Sequence, residues 1–86
     1  MRLYLLTYNI CYDSEIVVGG EIFKTKEEAE SVMAKMYRME RKALVDSFSK
    51  SDVQESKREG FRCAFGEGQY NDYHAEFAIS EKEIQL

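Results

Sequence analysis

The segment Arg2 to Tyr12 (RLYLLTYNICY) restricts the fold more than any other part of this 86-residue chain, because it is apolar on both sides. It is rich in aromatic and branched residues and has neither Gly nor Pro, which predicts one long strand. Strand periodicity puts Leu3, Leu5, Thr7 and Cys11 on one face, and Tyr4, Leu6, Tyr8, Ile10 and Tyr12 on the other. A sheet with one face in water alternates apolar with polar, so a second apolar face needs a cover of its own.

The segments that follow supply one kind of cover. Asp13 and Ser14 predict a turn, and Glu15 to Lys24 a returning strand in which Gly19 and Gly20 mark a bulge or bend. Thr25 and Glu28 form a capping box, so a helix opens there, with an acidic first turn and Lys35, Arg38, Arg41 and Lys42 further along, the order the helix dipole favours. Steps of 100° gather Ala29, Val32, Met33, Met36, Tyr37, Met39, Ala43, Leu44 and Phe48 on one arc, which carries the helix to about Phe48. Two overlapping caps, Ser51 with Gln54 and Asp52 with Glu55, predict a short second helix ending at Gly60. Phe61 to Phe65 reads as a third strand, Gly66 to Asp72 as a turn, and Tyr73 to Ser80 as a fourth strand. The expected architecture is a single α+β domain over residues 1–86. It is a four-stranded antiparallel sheet in ββααββ order, with the long amphipathic helix and the short helix packed on one face.

A single helical layer covers a single sheet face, so one face of the first strand stays open to a partner or to a second copy. Three tyrosines at even spacing suit a half-wet contact, since each ring is apolar with a polar tip. This reading assigns partner binding to Tyr4, Leu6, Tyr8 and Tyr12; the converse reading puts the tyrosines under the helix and Leu3 and Leu5 outside.

Charge narrows the partners. The formal net charge is −4 and the pI about 5.0, whereas general phosphate-backbone binders usually exceed a pI of ~9, so direct nucleic-acid binding is not expected. The basic stripe on the helix reads as its solvated back. After Gly60 the acids Glu67, Asp72, Glu76, Glu81 and Glu83 face only Arg62 and Lys82. Glu67, Asp72 and Glu76 therefore join the expected contact surface, which suits a cationic groove. Thr7, Tyr8 and Asn9 interrupt the first apolar run before the ~7 to 15 residues of a signal-peptide core, and no run approaches the ~18 of a membrane span. The expectation is a cytoplasmic protein, not bound to membranes, whose Cys11 and Cys63 are reduced thiols.

Reaction chemistry finds little support. No CxxC or HxxxH pair supplies two metal ligands from one element, Gly66 and Gly68 lack the Lys-Ser/Thr of a phosphate loop, and no GxSxG is present. No metal, cofactor or catalytic residue is expected. The one polar oddity is Glu40, which falls in the helix's apolar arc and must there be paired or protonated. Arg62 is its expected structural partner, and His74, the only histidine, its expected partner in a ligand site or small active site.

The leading expectation is a non-enzymatic protein-interaction module, alone or as a homodimer. The alternative is a small ligand-binding domain or enzyme centred on Glu40 and His74. In size, acidity and lack of catalytic signature the chain resembles the small accessory proteins of phages and mobile elements, anti-restriction and anti-CRISPR inhibitors among them. That resemblance implies inhibition of a nucleic-acid-handling protein.

Overall fold

The computed structural model describes residues 1–12, 15–47, 53–67 and 72–84. Five strands and one helix follow in the order β1 (Arg2–Tyr12), β2 (Glu15–Phe23), α1 (Lys26–Ser47), β3 (Val53–Arg58), β4 (Phe61–Glu67) and β5 (Asp72–Glu83). All strands pair antiparallel in one sheet of order β2-β1-β5-β4-β3. β1 lies inside the sheet, paired with β2 from Tyr4↔Phe23 to Tyr12↔Glu15 and with β5 from Arg2↔Glu83 to Tyr12↔Tyr73. Met1 and Ile84 extend that ladder, the Met1 nitrogen donating to the Ile84 carbonyl at 3.0 Å and the Ile84 amide to the Met1 carbonyl at 2.7 Å.

Two expectations about architecture are corrected. The sheet has five strands rather than four, and the described residues contain one helix rather than two, because Val53–Arg58 is a strand. Its local sequence permits both states. Val53, Glu55 and Lys57 alternate with Gln54, Ser56 and Arg58, and the register with β4, from Val53↔Gly66 to Arg58↔Phe61, places the first set on the helix side. Pairing with β4 and the packing of Val53 against the core favour the strand. Gly60, with φ of 69°, closes the β3–β4 hairpin instead of ending a helix, and its carbonyl accepts from the Ile79 amide at 2.8 Å. The residues expected to cap the second helix, Ser51 and Asp52, lie outside the described residues.

The glycines of β2 also act differently from expectation. The register runs through Thr7↔Gly20 and Tyr8↔Gly19 without an inserted residue, so there is no bulge. The Tyr8 side chain instead lies across Gly19, where an added Cβ would overlap the ring.

Helix α1 starts as its capping box requires, the Glu28 amide donating to Thr25 Oγ1 at 3.2 Å. It spans about 33 Å at ~1.5 Å per residue, which carries the chain from edge strand β2 across the sheet to edge strand β3. Its buried stripe is narrower than the predicted arc. Ala29, Met33, Tyr37 and Leu44 are buried, Val32 and Met36 flank them, while Met39 is 69% exposed and Ala43 also faces out; Phe48 lies outside the described residues. The stripe packs against Leu6, Ile10, Ala64, Ala75 and Phe77. Ala64 and Ala75 are cross-strand partners, and their small side chains let the helix settle chiefly over β4 and β5. β2 is left at the margin. No helix is long and apolar enough to cross a membrane among the described residues.

Candidate interaction surface

The side of the sheet that α1 covers follows from register. Leu6, Tyr8 and Ile10 of β1 align with Ile79, Phe77 and Ala75 of β5, and Tyr4 shares their side opposite Glu81, so the tyrosine row is the core side. Leu6 has no exposed surface, and the Tyr8 ring centroid lies 6.4 Å from that of Phe77. The contact role expected for Tyr4, Leu6 and Tyr8 is thereby corrected in its facing; the Tyr12 side chain lies outside the described residues. The converse reading of β1 is the one the sheet adopts.

The opposite face has no helix. There Leu3 and Leu5 of β1, Ile16, Val18 and Ile22 of β2, and Phe61 and Phe65 of β4 share one side. Ile16, Val18 and Ile22 are 70%, 69% and 68% exposed. Leu3, Leu5 and Ile22 join Lys82 and Ile84 in a shallow apolar groove of about 90 Å³. Small-molecule sites usually enclose ~300 to 1,000 Å³, so this relief suits a side chain or two from a larger partner. The rest of the face is mixed. The Arg58 guanidinium lies 4.2 Å from the Phe61 ring centroid, and Thr7, Asn9, Glu76 and Ala78 of this face line, with Tyr8, a cleft of about 180 Å³. Cys63 is only 9% exposed between its neighbours Ser56 and Glu76, and burial, then the Glu76 charge, pushes its thiol pKa up. Cys11 is also a free thiol, 3.3 Å from Asn9 Oδ1.

The expected polar site does not assemble. Glu40 is on the helix, on the core side of the sheet, where it accepts a hydrogen bond from the Tyr73 hydroxyl. Arg62 turns to its own backbone neighbourhood, donating to the carbonyls of Arg58 and Phe61 at 2.7 Å each. His74 occupies the helix-free face, with Nε2 3.4 Å from Glu76. The sheet separates Glu40 from His74, and no group of three or more His, Cys, Asp and Glu able to hold a metal occurs among the described residues. The acidic surface is dispersed as well. Glu81 and Glu83 flank Arg2 at 2.8 and 3.3 Å on the core side, whereas Glu76 is on the free face; the side chains of Glu67 and Asp72 lie outside the described residues.

A polar cluster absent from the sequence reading joins the helix to β3. The Tyr37 hydroxyl donates to Glu55, Arg41 Nε donates to the same carboxylate at 2.6 Å, and Lys57 Nζ lies 5.3 Å from the Tyr37 ring centroid. The spacing of Glu55 and Lys57 two apart was its only signal, and that signal has meaning only in a strand. The Tyr37 bond holds the Glu55 carboxyl below the usual range against partial burial, with Arg41 assisting, while burial and then the bond to Glu55 hold the Tyr37 hydroxyl above its own.

The two shifts act at opposite ends of the pH scale. Glu55 contributes stability that is complete above its unfolded pKa of about 4.3 and is lost as pH falls through the lower folded value. Tyr37 contributes stability that is complete below about 10 and is lost as pH climbs toward its higher folded value. Melting temperature should thus plateau between these limits, and Tyr37→Phe should flatten both limbs. An alkaline limb equally steep in Tyr37→Phe would remove the cluster from any account of stability.

Comparison with protein-family models, curated proteins and solved structures finds no match to this chain.

Proposed function

We propose that this protein is a non-enzymatic protein-interaction module whose contact surface is the helix-free face of the sheet. One observation carries the reading: on a face with no helix, Ile16, Val18 and Ile22 are each more than two-thirds exposed, and Ile22 joins Leu3 and Leu5 in an apolar groove. The occupant that suits it is a folded protein with an apolar surface of its own. A groove of about 90 Å³ is too small to enclose a typical small ligand, and a chain with pI about 5.0 does not favour phosphate backbones. Glu76 shares this face with Lys82 and Arg58, so the contact is apolar with mixed charge at its margins rather than acidic.

Ser80 tests it cleanly, because it is exposed on the free face, opposite Leu5, and substitution there leaves the core untouched. A photo-crosslinking residue at Ser80 should capture a discrete partner protein in the cells that express this chain. The same residue at Lys35, on the exposed back of α1, should not. Leu5→Asp should then weaken the isolated complex by roughly tenfold or more, as for loss of a central apolar contact. Capture at Lys35 but not at Ser80, or a complex indifferent to Leu5→Asp, would move the surface elsewhere.

A further inference from the structure

We propose that the helix side of the sheet holds a second docking surface, a shelf over β1 and β2 that receives an amphipathic helix of a partner protein with basic side chains along its outer flank. The inference stands apart from the open-face reading, because it concerns the opposite side of the sheet.

The shelf has a wall and a floor, both apolar. Tyr37 and Arg41 reach Glu55, which turns that flank of α1 toward β3. At 100° per residue, Val32, Met36, Met39 and Ala43 fall on the other flank, toward β1 and β2, where Met39 is 69% exposed and Ala43 faces out. The floor is Tyr8 and Val17. The Tyr8 ring lies across Gly19, whose lack of a side chain keeps the floor low, and Val17 is 46% exposed. Spacing selects the occupant. α1 sits chiefly over β4 and β5, and β1 and β2 lie two strand spacings away, about 9.6 Å, within the ~8 to 10 Å that separates packed helices. A second helix beside α1 therefore touches wall and floor together.

Charge fixes the chemistry of that helix. Glu15 and Glu21 stand on the helix side of β2, opposite Tyr12 and Leu6, both exposed and neither in an ion pair among the described residues. No base shares their row. Lys24 has the parity of the free face, and Arg2, at the far end of β1, is held by Glu81 and Glu83. On α1, Glu28 and Asp46 at the top of the wall are balanced by Lys35 and Lys42 on the back, so the helix adds no net charge there. The outer margin of the shelf is thus acidic, and it complements a basic flank. The strand rise sets Glu15 and Glu21 ~20 Å apart, which a helix spans in ~13 residues, so the partner's bases recur over roughly three to four turns. A second copy does not supply such a helix, because the back of α1 carries Ser31, Lys35, Arg38 and Lys42 and its buried stripe rests on its own sheet.

Two synthetic helical peptides of about 18 residues test the shelf, both with leucines at i, i+3, i+4 and i+7, one with lysines and the other with glutamates along one flank. Each is titrated into the full 86-residue chain and followed by methyl NMR. The lysine peptide should bind with a Kd below roughly 300 µM and shift the methyls of Val17, Met36 and Met39, and the glutamate peptide should bind more weakly by roughly tenfold or more. Glu15→Gln with Glu21→Gln should erase most of that preference. Val17→Ser with Met39→Ser should weaken the lysine peptide by roughly tenfold while circular dichroism stays native, since these positions are exposed. A Kd for the lysine peptide above roughly 300 µM would overturn the proposal, as would equal affinity for the two peptides. Shifts at Leu3, Leu5 and Ile22 in their place would put the peptide on the helix-free face, overturning the shelf while leaving the open-face reading intact.

Discussion

Replacing Phe77 with Ala should cost about 3 to 5 kcal/mol and leave a substantial fraction of the chain unfolded without denaturant. Phe77 has no exposed surface, sits on strand β5 between β1 and β4, and meets Tyr37 edge-on at 6.3 Å and 86°. It is the group through which helix and sheet touch most directly, so its loss opens a cavity that neither layer can close. At roughly 0.05 to 0.15 kcal/mol per residue, a chain of 86 residues has only about 4 to 13 kcal/mol to lose. Phe77→Leu, which keeps most of the volume, should cost only about 1 to 2 kcal/mol. Urea midpoints for the three proteins decide it, and a loss below about 1 kcal/mol for Phe77→Ala would take that ring out of the core.

The second large effect joins two residues whose roles depend on each other. Tyr8→Ala should cost about 2 to 4 kcal/mol, less than a fully buried aromatic because the ring is only partly covered. Gly19→Ala should cost about 1 to 3 kcal/mol, because the new methyl would occupy the space of the Tyr8 ring. In the Tyr8→Ala background the same change should become neutral or mildly stabilising, since Ala is otherwise the better residue inside a strand. The coupling, read from the four proteins by chemical denaturation, should lie within about 1 to 3 kcal/mol. Additive effects would mean that Tyr8 does not lie over Gly19, and the facing of β1 would have to be reversed.

Facing was the least legible property of the chain. Both faces of β1 are apolar, so period-two alternation locates a strand without saying which side the helix takes. What selected the side is remote from β1: Ala64 and Ala75, with the Gly66 backbone, make the helix-facing half of β4 and β5 small enough for α1 to approach. β3 failed for a related reason. The stretch VQESKR offers capping side chains and strand alternation at once, and only pairing with β4 and the packing of Val53 separate them. Glu40 was visible as a polar residue within the apolar stripe, but its partner, Tyr73, lies 33 positions away on β5, and no local spacing announces such a pair.

By itself the sequence determined that β1 would be a long strand apolar on both faces, that a helix would open at Thr25, that the alternation of Phe61 to Phe65 and Tyr73 to Ser80 would be strand-like, and that a single helix layer would leave apolar sheet surface uncovered. These are properties of neighbouring residues, set by periodicity and by caps that act over one turn. The tertiary structure alone decided that the uncovered surface is the side of Leu3, Leu5 and Ile22, that β2 and β3 are the edges, and that Glu40 and His74 are divided by the sheet. Each of those depends on which strands become neighbours, and strand pairing is settled by backbone hydrogen bonds and side-chain volume between segments far apart in the chain.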